Sequence, residues 1–240
     1  MNTVGIIGYG RFGKVLANIL QKGFLINVYD IKEGDSSNSI HYVTLDKVLK
    51  EKVIFIAVPI HQFENLIKKI SKPIKKNRTI IDVCSVKMHT ARVMLKYLPK
   101  EIGIISSHPM FGPDSFLTNQ KLKMMMHKTR DCHNQYSFWE KYFIDQNIKI
   151  LNMSPEEHDK LAAKTQGVTH FLGRSLKKFG ISKTNLDTQG FRDLLNLVEQ
   201  TCNDSSQLYY DLQSYNPYTK DTIRRLKKSF EKIESNPKGV

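Results

Sequence analysis

The stretch Val4-Gly5-Ile6-Ile7-Gly8-Tyr9-Gly10-Arg11-Phe12-Gly13 decides the fold. A short apolar run leads into Gly8-x-Gly10-x-x-Gly13, and apolar residues then recur at Val15, Leu16, Ile19 and Leu20 with helical spacing. The order is strand, tight turn, helix. In that setting each glycine has a mechanical task. Gly8 makes the turn, Gly10 lets the backbone approach a pyrophosphate, and Gly13 lets helix and strand pack closely. The start of the helix then offers N–H groups and the positive end of its dipole to phosphates. A second apolar run, Leu25 to Tyr29, ends on Asp30, twenty residues past Gly10. A carboxylate at that distance binds a ribose 2′-hydroxyl. The same glycines could serve a turn in some other α/β protein, but the context favours a dinucleotide site built from Gly8, Tyr9, Gly10, Arg11, Phe12, Gly13 and Asp30. Asp30 repels a 2′-phosphate, so the expected cofactor is NAD, with NADP less favoured; Lys32 nearby softens that preference.

Downstream the pattern of strands alternating with helices continues. Ile31 to Ser39 is polar, contains Gly34 and reads as a loop, and Leu45 to Lys50 as a short helix. Val53 to Val58 is apolar almost throughout, as a parallel strand covered on both faces tends to be, and Pro59 ends it. A helix follows over His61–Ile70, then a strand at Thr79–Val83 and a helix at Ala91–Leu98. Ile102–Ser106 reads as a strand running into a loop, His108-Pro109-Met110-Phe111-Gly112-Pro113. A strand at Lys121–Met126, a helix at Tyr136–Phe143 and a last strand at Ile148–Leu151 complete a doubly wound, mainly parallel sheet. Ligands bind such sheets beyond the carboxyl ends of the strands, where Val58, Pro59, the Asp82–Lys87 segment and His108 all fall.

From residue 154 the pattern is helical only. Ser154-Pro155-Glu156-Glu157 is a good helix start, and Gly180 a stop, which predicts one long helix to about Phe179. Gln189–Cys202, Ser205–Tyr215 and Thr222–Ile233 predict three more. The expected division is a Rossmann-type domain over residues 1–152 and an all-helical dimerisation domain over 153–240.

Composition narrows the function. With 40% hydrophobic and 25% charged residues the chain suits a globular protein, and its apolar runs are too short to cross a membrane. The N-terminus enters the first strand directly, so no signal peptide is expected, and the chain reads as cytoplasmic. Cys84, Cys132 and Cys202 form neither a disulfide framework nor a metal-ligand spacing, which fits a reducing compartment and predicts no metal. The net charge of +14 is spread along the chain without an aromatic-interleaved basic motif. It suits an enzyme with anionic cofactor and substrate better than a nucleic-acid binder.

Two groups of residues could carry chemistry. Ser85 and Lys87 leave one strand end and His108 the next, so Ser85 could hydrogen-bond to His108 and hold its tautomer for work as a general base. Position alone leaves open a plain loop histidine held by the prolines that follow. On the long helix His158, Ala162, Gln166, His170 and Arg174 recur every four residues and share a face, among small and apolar neighbours that argue for burial.

These segments together resemble the prephenate/arogenate dehydrogenase family of tyrosine biosynthesis. The carriers are the glycine turn, Ala57-Val58-Pro59, Asp82-Val83-Cys84-Ser85-Val86-Lys87, Ser107 to Pro113, Glu157-His158-Asp159, Gln166 with Thr169-His170-Phe171-x-Gly173-Arg174, and Gly190-Phe191. Leu194 to Ser205, Leu208-Tyr209-Tyr210 and Tyr215-Asn216 look like the plant-type arogenate dehydrogenases. The resemblance implies NAD-dependent oxidative decarboxylation, with His108 as base, Ser85 orienting it, and Lys87, Gln166, His170, Arg174 and Asn196 at the substrate. It adds Val58, Pro59 and Ser85 to the cofactor site and implies a homodimer. Asn196 departs from the arginine that many bacterial members carry near that position, which points to arogenate over prephenate. Rival readings are a hydroxyacid dehydrogenase or imine reductase using Lys164, and a non-catalytic NAD-binding regulator.

Overall fold

The computed structural model describes residues 2–32, 34–116 and 121–236, and the chain divides into two compact units, Met1–Pro155 and Glu156–Val240. In chain order the first holds β1 (Thr3–Ile7), α1 (Arg11–Leu20), β2 (Leu25–Tyr29), β3 (Ile40–Tyr42), α2 (Leu45–Val48), β4 (Val53–Ile56) and α3 (Ile60–Ile70). It continues with β5 (Thr79–Asp82), α4 (Lys87–Tyr97), β6 (Gly103–Pro109), α5 (Pro113–Phe116), β7 (Lys123–Arg130), α6 (Tyr136–Asp145) and β8 (Lys149–Asn152). The strands form one sheet in the order β3-β2-β1-β4-β5-β6-β7-β8. Among the described residues only the β6–β7 pair is antiparallel. The chain runs outward from β1 to β3 and then crosses to β4 on the other side of β1. That reversal opens the crevice where dinucleotides bind in doubly wound sheets.

Burial explains the strands. Ile6, Ile26, Val28, Phe55, Ile81 and Ile105 are all fully buried in one core, where α1 contributes Leu16, Ala17 and Leu20. On α6, Trp139 sets its ring edge-on to Phe55 at 5.0 Å and stacks on Phe24 at 5.2 Å.

Within the sheet and its connections, the structure departs from the sequence expectation at β3, after His108 and in the length of β6. Ile40–Tyr42 adds β3 at the sheet edge, too short and too evenly half-buried to show an alternating pattern. A short helix, α5, follows the His108 segment. And β6 does not stop at Ser106. It continues through Pro109 because β7 returns alongside it, pairing Ser107 with Met126, His108 with Met125 and Pro109 with Met124. The segment read as a loop is thus ladder backbone as far as Pro109, and Met110 N still donates to Lys123 O at 2.8 Å.

The second unit contains α7 (Pro155–Lys164), α8 (Gln166–Phe179), α9 (Gln189–Cys202), α10 (Ser206–Tyr215) and α11 (Thr219–Ser235), with Pro155 lying at the boundary. The single long helix of the sequence reading is two helices. Thr165 takes φ −107° and ψ −86°, outside the helical well. Its hydroxyl donates back to Leu161 O at 3.0 Å, a bond of the kind that bends helices. The stop at Gly180 is present, with φ +95° and Gly180 N bonded to Leu176 O.

Helices α8 and α9 approach so closely at Gly173 that a Cβ there would lie 1.9 Å from Thr201 Oγ1 and 3.2 Å from Leu197 O. Gly173→Ala should destabilise the protein by about 1–3 kcal/mol, the range for overpacking. Adding Thr201→Ala should restore part of the loss, because it removes the nearest obstructing atom. Urea denaturation of the parent, the single and the double variant measures both.

Candidate functional site

The dinucleotide turn is defined by close backbone contacts. Gly8 has φ +98°, and a Cβ on it would stand 2.5 Å from Ala57 O; one on Gly13 would stand 2.3 Å from Gly8 O. Neither position accepts a side chain. Gly10, by contrast, has nothing within 4 Å of where its Cβ would be, so its backbone faces open space. Gly10 is also the N-cap of α1, which has no side-chain cap and no acidic residue in its first turn. A pyrophosphate fits a helix end built this way.

Asp30 follows β2, beside the turn: Gly8 N donates to Tyr29 O at 2.9 Å. Its carboxylate accepts from Tyr9 N at 2.5 Å and from Lys32 N at 2.9 Å, which fixes both oxygens against backbone. Tyr42 on β3 meets Tyr9 edge-to-face at 5.5 Å, and its hydroxyl pKa is raised by burial and by the charges of Asp30 and Asp35. Tyr42 thus belongs to this end of the site. The sequence offered no signal for it, since β3 itself was not legible. Val58 and Pro59 follow β4, where Val58 O accepts from Cys84 Sγ at 3.5 Å and Pro59 caps α3.

His108 is 5% exposed and held in the β6 ladder. Ser85 follows the neighbouring strand β5 and is half-buried. Lys87 is not available to a substrate. It is fully buried, and its Nζ donates to Asp82 Oδ1 and to Ser107 O, each at 2.5 Å. A residue type taken from sequence as a substrate cation is a core cation instead, because β5, α4 and β6 close around it.

In the second unit the residues of the expected face separate. His158 lies on α7, where its Nδ1 meets Asp159 Oδ1 at 2.8 Å in a buried pair, while Asn216 Nδ2 donates to Asp159 O at 2.8 Å. This knot ties α7 to the end of α10 and is structural. The break at Thr165 sets it apart from Gln166, His170 and Arg174 on α8. Arg174 is turned to its own unit: Nη2 donates to Asp204 O at 2.8 Å and Ser205 O at 3.0 Å, and the guanidinium lies 5.0 Å from the Tyr209 ring. It clamps the α9–α10 turn. Arg192 likewise donates to Asp187 O at 2.6 Å. Asn196 is exposed on α9, and Lys164 is exposed at the end of α7.

Three buried atoms on α8 have no hydrogen-bond partner: Gln166 Oε1, His170 Nδ1 and Arg174 Nε. Unpartnered buried polar atoms are uncommon and call for a reason, of which an awaited ligand is one. Burial holds the His170 imidazole below its ordinary range; Asp204, 3.9 Å from Nε2, opposes this and Arg174 reinforces it.

Fold and site define a nicotinamide-nucleotide oxidoreductase of Rossmann type with a helical second unit. The family model "Prephenate dehydrogenase, nucleotide-binding domain" matches residues 21–122, and "TYRAAT1-like, C-terminal domain" matches residues 175–237. Arogenate dehydrogenase 2, chloroplastic, of Arabidopsis thaliana is 32% identical over 96% of this chain and 68% of its own length. Arogenate dehydrogenase 1, chloroplastic, of the same plant is 31% identical over 96% of this chain, which spans only 38% of that relative. The structure of prephenate dehydrogenase from A. aeolicus in complex with hydroxyphenyl propionate and NAD+ superposes with a TM-score of 0.75 at 20% identity, covering 98% of this chain and 90% of that one. The chain belongs to the arogenate/prephenate dehydrogenase family.

A buried imidazole kept neutral in the fold, yet free to protonate when unfolded, loses stability as pH falls through its unfolded value of about 6.5. The parent should therefore unfold more easily at about pH 5.5 than at about pH 7.5, and His170→Gln should flatten that dependence. Thermal melts across the range measure it; equal slopes would mean that His170 pays no such penalty.

Proposed function

We propose that this protein catalyses the NAD-dependent oxidative decarboxylation of arogenate to tyrosine, with His108 as general base. The observation that carries the reading is a histidine held almost buried in a strand at the same sheet edge as the glycine turn. A rigid strand places a base better than a loop would. His108 takes the proton of the ring hydroxyl as a hydride leaves the same carbon. NAD supplies the hydride acceptor. The resulting dienone draws in, through its two ring double bonds, the electron pair of the C–CO2 bond on the opposite ring carbon, carbon dioxide departs, and the proton returns to oxygen as the ring becomes a phenol. Substrate, with oxidised cofactor, thus gives tyrosine, carbon dioxide and reduced cofactor. Ser85 serves this end of the site. Gln166 and His170, with their unpartnered buried atoms, bind the substrate.

The preference for arogenate rests on cations. Prephenate carries a keto acid where arogenate carries an ammonium and a carboxylate, so a prephenate site is best served by a second bidentate arginine. Arg174 and Arg192 are engaged by carbonyls of their own unit, and an amide stands at Asn196. An amide both donates and accepts, which suits a zwitterion. NAD over NADP follows from Asp30. We also read the protein as a homodimer assembled through its second unit, which exposes Phe179 at 83% and Leu186 at 90%. Cys84, Cys132 and Cys202 remain thiols rather than a disulfide, which suits a reducing compartment, for which we take the cytoplasm. No described helix is long and apolar enough to cross a membrane.

The decisive assay follows reduced nicotinamide with NAD and either substrate. Arogenate should be used with kcat/KM about 10-fold or more above prephenate, equivalent to about 1.4 kcal/mol in the transition state. His108→Asn should lower kcat by about 10²–10⁴-fold while leaving NAD affinity nearly intact. Prephenate consumed first would overturn the argument from Asn196, and a fully active His108→Asn would move the base elsewhere. In the same assay NAD should exceed NADP, and Asp30→Ala should narrow the gap. One repulsive contact discriminates by about 1–3 kcal/mol, on the scale of other single pocket contacts. Equal efficiency of the parent with both cofactors would sink the role given to Asp30.

A further inference from the structure

Lys87 stands where a lysine is disfavoured on two counts. Its side chain is 0% exposed, and it is the first residue of α4, at the positive end of the helix dipole. Replacing a buried ion pair by apolar residues is often neutral or stabilising, so stability alone is a weak reason for this one. Its partners suggest a geometric reason. Nζ bridges Asp82 Oδ1 at the end of β5 and Ser107 O in β6. Asp82 is itself fixed, accepting from Cys84 N at 3.0 Å and from Thr90 Oγ1 at 3.2 Å. Ser107 is held a second time, through its hydroxyl, which donates to Asp82 O at 2.7 Å. Burial pushes the Asp82 carboxyl upward while the Lys87 charge opposes it.

The two bonds at Ser107 have a direct consequence for its neighbour. The carbonyl that receives Lys87 belongs to the planar peptide joining Ser107 to His108, so fixing that oxygen fixes the plane from which the His108 side chain departs. From this we propose that Lys87 is a positioning residue for His108, acting through the Ser107 carbonyl, with the Ser107 hydroxyl as a second tie to the same strand end. The assignment rests on His108 being the base. It gives the Asp82-x-x-Ser85-x-Lys87 segment two jobs: Ser85 serves the proposed site, and Lys87 holds the neighbouring strand from within.

The test compares Lys87→Met, Ser107→Ala and the parent by kcat, by KM for NAD, and by histidine ring NMR signals, with His108 assigned through its loss in His108→Asn. Lys87→Met should lower kcat by about 10–100-fold, within the range for a misplaced catalytic group, with KM for NAD changed less than about 2-fold. Ser107→Ala, which removes a single atom, should act in the same direction and less strongly. Both should shift or broaden the His108 signals, and Lys87→Arg should recover part of the turnover. Unchanged kcat and unchanged His108 signals in the folded variants would overturn the proposal. So would equal losses in kcat and NAD binding that merely follow the fraction folded. If Lys87→Met does not fold, Ser107→Ala decides. If the parent turns over neither substrate, the dehydrogenase reading fails, and the His108 signals alone decide whether the tie positions that ring.

Discussion

The constraint on which the first unit depends is the contact between the backbones of Gly13 and Gly8. There is room there for a hydrogen and for nothing larger. That contact sets α1 against the end of β1 and leaves Gly10 open as the helix cap. It also places the turn at the point where the strand order reverses. A bulkier residue at position 13 would not simply reduce affinity. It would push the helix away from the strand and take the phosphate-binding N–H groups with it.

Polar burial is handled in different ways around Asp82 and along α8. Around Asp82 the buried polar groups answer one another: a carboxylate, an ammonium, two hydroxyls and backbone groups form a connected set. Such a set is rigid because breaking any member leaves another desolvated without a partner. On α8 the situation is the reverse. Gln166, His170 and Arg174 each keep a buried atom unanswered, although the rest of Arg174 is committed to the α9–α10 turn. A closed network suits the part that must not move. An open one suits the part proposed to receive the substrate.

The strand β7 decides more than its position in the chain suggests. It runs antiparallel to β6 and extends the ladder past Ser106 to Pro109. His108 thereby acquires the stiffness of a sheet residue, and Lys87 finds the Ser107 carbonyl in a fixed place. Without β7 the His-Pro-Met-Phe-Gly-Pro segment would have the freedom that its two prolines only partly remove.

What the sequence determined by itself is local in origin. The glycine turn, the buried strands at Val53–Ile56 and Thr79–Asp82, the helical stretch after residue 154 and the stop at Gly180 all follow from short-range patterns of apolar residues, glycine and proline. The placement of Asp30, Ser85 and His108 at one edge of the sheet was legible because each lies at or near the carboxyl end of a strand, and those ends gather at one edge of a parallel sheet, although the ladder that holds His108 was not. The tertiary structure alone decided the rest. The sequence marks Lys87 as a cation but not which groups surround it, and burial among β5, α4 and β6 made it a core residue. Arg174 shares a helical face with His170, yet the turn after α9, some thirty residues on, captures it. The break at Thr165 separates His158 from that face through a hydroxyl bond to Leu161 that no periodicity reveals. Side-chain type and spacing depend on a few neighbouring residues. The partner a charge finally takes depends on contacts between segments far apart in the chain, and only the folded backbone brings those together.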